Sequence, residues 1–177
     1  MILSRSQILA ELNHNIFITP FNDKMLNSNS YNLSLSKHLI VYRDKELDMK
    51  KEYSSKDIED LEIPNEGIVL MPNILYLGST IERTCTTRFI PIIEGRSSIA
   101  RLGLFVHITA GLGEAGFDGH WTLELTCVQP LKIYHSIPIC QIYFNSVIGF
   151  VDQCRSTKYQ HSIMAEPSKM YREIKEK

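Results

Sequence analysis

The sequence predicts an all-β chain, either a barrel or a sandwich, and three observations carry that expectation. From Gly67 onward, short apolar runs follow one another closely, at residues 68–71, 74–77, 89–93, 104–108, 122–128, 132–134 and 139–144. Pro72, Asn73, Gly78, Gly111, Gly113, Gly116, Gly119 and Pro130 break them, as turns break a series of strands. Two segments, 31–35 and 122–126, alternate apolar and polar residues with the period of two that a strand imposes. Finally, 177 residues with 44% hydrophobic and 22% charged side chains suit one packed domain over residues 1–177, able to bury about 70% of its unfolded surface.

Taken in order, residues 4–13 predict a short helix. Ser4 or Ser6 can cap it, and Ile8, Leu9 and Leu12 give it one apolar face. In the strand at 31–35, Tyr31, Leu33 and Leu35 point one way and Asn32 and Ser34 the other, so it should be half-buried; 39–42 continues the sheet. Residues 43–66 carry five Lys/Arg and nine Asp/Glu, a net charge of -4 in a chain of net -1, so the remainder is +3. This reads as a solvated excursion from the sheet. The uncharged stretch 133–151 contains His135, Ser136, Pro138, Gln141, Asn145 and Gly149, too polar for a bare membrane span, and predicts two buried strands around a bend at 131–134 and 139–144. The tail from 167 to 177 reads as a frayed helix.

Charge and cysteines bound the function. Near-zero net charge argues against a nucleic-acid partner held by the overall field. Arg5 and Glu11 interrupt the apolar N-terminus and no small-residue cleavage pattern follows, so no signal peptide is expected and the location should be cytoplasmic. Cys85, Cys127, Cys140 and Cys154 form no Cys-x-x-Cys pair and no His stands at zinc spacing, which predicts reduced, mostly buried thiols and no structural zinc.

Three segments carry chemistry. Glu94-Gly-Arg-Ser-Ser-Ile-Ala-Arg-Leu-Gly103 predicts a short helix with Ser97 or Ser98 near its cap. Two hydroxyls (Ser97, Ser98) and two guanidiniums (Arg96, Arg101) on one turn suit a polyphosphate; the alternative is a capped helix with two surface arginines. Thr109 to Gly119 has four glycines in nine residues, which serves a close approach to ligand or a long hairpin connection equally well. In Thr122-Leu-Glu-Leu-Thr126, Leu123 and Leu125 face one side while Thr122, Glu124 and Thr126 face the other. Glu124 is then either an exposed strand carboxylate or, if enclosed, a proton shuttle.

In sequence, Glu94 to Ala110, then Gly116-Phe-Asp-Gly119, then Thr122-Leu-Glu-Leu125 resemble the dCTP deaminase family, a branch of the trimeric dUTPase-like fold. Residues 30–35, 79–82 and 139–142 resemble the family's early, middle and late strands, while Lys158-Tyr159 and Pro167-Ser168 resemble the C-terminal segment, 155–177, that closes over nucleotide. The resemblance implies a distorted jelly-roll barrel with short helices. It implies deamination of dCTP to dUTP and ammonia without zinc; the His-x-Glu and Pro-Cys-x-x-Cys pattern of zinc deaminases is absent. By resemblance Glu124 shuttles protons, Ser97 and the Ala110 carbonyl hold the attacking water, and Arg101 stabilises charge at the ring. Arg96, Ser98 and Lys158 hold a triphosphate bridged by Mg2+, the Thr122–Leu123–Glu124 backbone reads the base, Glu114 sits near the sugar, and Tyr159 and Gln160 belong to the closing segment.

The resemblance also implies a homotrimer with sites shared between subunits; no membrane partner is expected, given the polarity of 133–151. Glu114 stands where the family usually has Asp, Asn32 where Asp is common, Val151 where Tyr often meets phosphate, and Ser162 where Gln often sits. Residues 107–111, His-Ile-Thr-Ala-Gly, resemble the members that stop at dUTP and are inhibited by dTTP. The alternatives are a bifunctional deaminase–diphosphatase giving dUMP, with Glu114 as base for the second step, and a non-catalytic nucleotide-binding homologue.

Overall fold

Strand-forming runs along the chain satisfy one another almost wholly in antiparallel pairs. A computed structural model describes residues 1–107, 109–152 and 158–175. Its strands are β1 (Ile16–Thr19), β2 (Tyr31–Tyr42), β3 (Ile58–Glu62), β4 (Ile68–Leu70), β5 (Tyr76–Thr86), β6 (Phe89–Gly95), β7 (Leu104–Val106), β8 (Asp118–Cys127), β9 (Leu131–Ile133) and β10 (Pro138–Ser146). Three short helices accompany them: α1 (Arg5–Glu11), α2 (Ser97–Ala100) and α3 (Met170–Lys175).

One sheet runs in the order β6-β10-β2-β5-β8-β7, with β1 added to β5 and β3 to β2, while β4 and β9 form a separate pair. The strands wrap into a nearly closed, barrel-like sheet, as the sequence predicts. Leu33, Leu35, Leu39, Ile93, Leu123, Leu125, Ile142 and Phe144 fill its interior. β8 alternates most regularly: Trp121, Leu123, Leu125 and Cys127 are buried, and the residues between them are partly exposed.

Several expectations need correction. Residues 31–35 and 39–42 are one strand, and 31–35 is buried on both faces. Asn32 exchanges hydrogen bonds with the Asn27 amide, and the Ser34 N–H donates to the buried Glu82 carboxylate at 2.8 Å, so polar partners take the face that the alternation assigns to solvent. The charged excursion is not all solvated. β3 lies within it and pairs with β2 from His38↔Glu62 to Tyr42↔Ile58, and Ile63 is buried. Its charge pattern hides a strand whose outward residues are acidic. β1 has only four residues and gives no periodic signal.

The expected helix at 4–13 shortens to α1, capped by Ser4, whose side chain accepts from the Gln7 N–H. The expected strands at 131–134 and 139–144 are β9 and β10. Among the described residues no helix is long and apolar enough to cross a membrane. Cys85, Cys127 and Cys140 are free thiols, the last two buried; Cys154 lies outside the described residues.

Candidate active site

A cavity of about 610 Å³ opens against the partly exposed face of β8. Strand geometry places its floor: His120, Thr122 and Glu124 are two residues apart, so all three project from the same face. The glycine-rich loop contributes Ala110 and Glu114, and the C-terminal segment covers the cavity with Lys158, Tyr159, Gln160 and Ser162.

Glu124 does not stand alone. β7 pairs with β8 with Val106 opposite Leu125, which brings the next residue, His107, beside Glu124. The His107 N–H donates to the Glu124 carbonyl at 3.0 Å, and ring Nδ1 contacts carboxylate Oε2. His107 is 93% buried, sits at φ +54° and packs edge-on against Trp121. Its Nε2 is buried with no hydrogen-bond partner among the described residues. The Glu124 side chain retains 39% of its exposure in the single chain.

The C-terminal segment is docked by backbone pairing onto β8. The His161 N–H donates to Asp118 O at 2.7 Å and the His120 N–H to Ser162 O at 2.9 Å. Gln160 bridges the glycine loop, accepting from the Asp118 N–H and donating to Gly116 O, each at 2.9 Å. Farther on, the Ser168 N–H donates to the Tyr42 hydroxyl at 2.8 Å, and the Tyr171 hydroxyl donates to Glu52 at 2.7 Å. The charged excursion thus holds the end of the tail.

Sequence-predicted residues separate into two groups. Glu124, Ala110, Glu114, Thr122, Lys158, Tyr159 and Gln160 line the cavity together. Leu123 points its side chain into the core, fully buried, so only its backbone could meet a ligand. Arg96, Ser97, Ser98 and Arg101 are not in this chain's cavity. α2 links β6 to β7 and lies past the Cys127 end of β8. Ser97, Ser98 and Arg101 are exposed there, and Arg96 donates to Pro138 O at 2.8 Å. The N-cap of α2 is Arg96 in extended conformation with no side-chain cap, not Ser97 or Ser98.

The glycines of the loop serve the protein's own packing. A Cβ on Gly111 would lie 2.5 Å from Ile93 O, and one on Gly113 would meet the Trp121 ring and Pro91. Of the divergent positions, Ser162 is buried with its hydroxyl donated to Met164 O, and Val151 lies against the N-terminal segment, away from this cavity. Sequence reasoning missed His107, His120 and Trp121 as cavity residues.

The family model described as "DCD: dCTP deaminase-like" matches residues 2–147. The chain belongs to the dCTP deaminase-like family. Its relatives include proteins named "dCTP deaminase, dUMP-forming" from Hathewaya histolytica, 52% identical over 98% of this chain and 99% of the relative, and from Clostridium acetobutylicum, 51% identical over the same shares. A protein of the same name from Leptospira biflexa is 48% identical over the full length of both chains. The crystal structure of 2'-deoxycytidine 5'-triphosphate deaminase from Agrobacterium tumefaciens superposes with a TM-score of 0.64 at 17% identity. It is matched over 82% of this chain and 48% of its own length, and it shows the fold alone.

Proposed function

We propose that this family member is a dCTP deaminase that carries its product on to dUMP. The observation that carries the chemistry is the Glu124 carboxylate inside a cavity roofed by the C-terminal segment and gripped by His107. Water adds to C4 of the cytosine ring, Glu124 takes the proton that water gives up, and the same carboxyl returns a proton to the departing amine as ammonia leaves. A second water then attacks the α-phosphorus and pyrophosphate departs, so dCTP and two waters yield dUMP, ammonia and pyrophosphate. Glu114, on the cavity wall, is the base available for that step.

The names shared by relatives at 48–52% identity favour dUMP over dUTP as the product, although the loop at 107–111 resembles members that stop at dUTP. The isolated chain lacks the expected arginine–serine turn in its cavity. We assign that turn to a neighbouring copy in a homotrimer: its Ser97 and this chain's Ala110 carbonyl would hold the water, its Arg101 would stabilise the ring, and its Arg96 and Ser98 would meet phosphate with Lys158. dTTP would compete for the same cavity in a cytoplasmic enzyme.

Mg2+ would enter with the triphosphate. Among the described residues no three His, Cys, Asp or Glu side chains gather into a metal cage. The cation's chemistry is to neutralise phosphate charge.

Product analysis tests this reading. Protein with dCTP and Mg2+ should release dUMP and pyrophosphate without accumulating dUTP. Accumulated dUTP would overturn the second step, and unchanged dCTP the first. Glu124→Gln should lower turnover by about 10³-fold, within the range of lost proton transfer, while dCTP still binds.

A further inference from the structure

We propose that His120 is a phosphate-binding residue of this cavity, donating from Nε2 to a phosphate oxygen of the nucleotide. The inference rests on the reading that the cavity takes a nucleotide, and it adds the side chain that reads the phosphate end.

His120 lies four residues from Glu124 on the same face of β8, about 13 Å along a strand that rises roughly 3.3 Å per residue. A nucleotide whose ring amine meets Glu124 reaches along that face towards position 120 with its phosphates. The imidazole is already oriented. Nδ1 lies 3.0 Å from Thr80 O, which can only accept, so Nδ1 carries the proton and Nε2 is left for a ligand. No hydrogen-bond partner for Nε2 exists among the described residues. Thr80 itself sits where the β5–β8 register slips, between Ser79 and Arg83, and such an irregularity re-aims side chains.

Charge supports an anion at this ring. Behind it on β5 lies Glu82, 4% exposed, whose pKa burial raises, while the Ser34 N–H and, least of the causes, the His120 charge lower it. The ring thus has the acidic side chain of Glu82 at its back and the cavity at its front. The tail segment is pinned over the same strand through Ser162 O, and its Lys158, whose ammonium pairs with Glu173, lines the same cavity. The other charged groups around the ring are Arg83, directly opposite it on β5 and paired with Asp118, Glu114 from the glycine loop, Glu166 from the tail, and the Glu124–His107 pair farther along. Because Nε2 donates only when the ring is protonated, phosphate binding should draw a proton onto His120.

The test uses the full-length protein with Glu124→Gln in the background, so that turnover is slowed by about 10³-fold. The His120 ring proton is followed by NMR against pH, with inorganic pyrophosphate, dCTP or deoxycytidine present. Pyrophosphate and dCTP should raise the ring's apparent pKa by about half a pH unit or more, and deoxycytidine should not. Calorimetry should show dCTP binding weaken more steeply between pH 6 and 8 than in His120→Gln, by up to about tenfold per pH unit. Phosphate itself titrates in this range equally in both proteins, so the difference isolates the imidazole. His120→Lys should bind dCTP without that extra slope, which separates lost charge from lost folding. An unmoved ring with saturating pyrophosphate and dCTP, or equal slopes in the two proteins, overturns the proposal. A ring that answers pyrophosphate in a protein that ignores dCTP would keep the anion site and overturn the nucleotide reading instead.

Discussion

Glu124 is legible in the sequence because strict alternation puts it opposite Leu123 and Leu125. Its partner His107 is not, because the two are 17 residues apart and meet only through the Val106↔Leu125 register. A reader who paired residues 104–106 with 125–127 before assigning roles would have found it. Glu82 carries the sharpest single-residue prediction. Burial raises its pKa above the usual carboxylate value, against the Ser34 N–H that lowers it. A raised folded-state pKa means that the native protein holds its proton longer than the unfolded chain does. The stabilising contribution is complete below the unfolded value of 4.5 and is lost as pH rises through the folded value. Melting temperature measured against pH should therefore fall less across that window in Glu82→Gln than in the wild type. Parallel curves would contradict the assignment.

At the scale of elements, β8 and β10 are legible from apolar runs, while β1, β3 and most of β5, whose Gly78 reads as a break but lies inside the strand, are not. β1 is too short for a period, and β3 alternates acids with half-buried Ile58 and Leu61 inside a stretch whose charge suggests solvent. The glycine-rich loop is the element whose purpose sequence leaves open. Its backbone crosses β6 closely: the Ile93 N–H donates to Gly111 O, and the Gly113 N–H to Pro91 O, each at 2.8 Å. Gly111→Ala forces a methyl group against the Ile93 carbonyl, a backbone atom that cannot swing aside. It should destabilise the protein by about 1–3 kcal/mol in denaturant unfolding, the range of overpacking. A variant as stable as the wild type would show that the loop can move without cost.

At the scale of the whole molecule, the residues that the sequence marks out fall into two places. The cavity holds Glu124 with the tail residues, and the exposed α2 turn holds Ser97, Ser98 and Arg101. No periodicity or spacing argument separates them, because the separation is created by the closing of the sheet: β6 delivers α2 to the Cys127 end of β8 while the tail returns to its Asp118 end. In the proposed homotrimer the two places meet across a subunit boundary. Mixed trimers of Glu124→Gln and Arg101→Ala measure that most directly. Each variant alone should be inactive on dCTP, and refolding them together should restore activity at sites built from an intact Glu124 of one copy and an intact Arg101 of another. Mixed trimers as inactive as their parents would contradict a site completed by a neighbour.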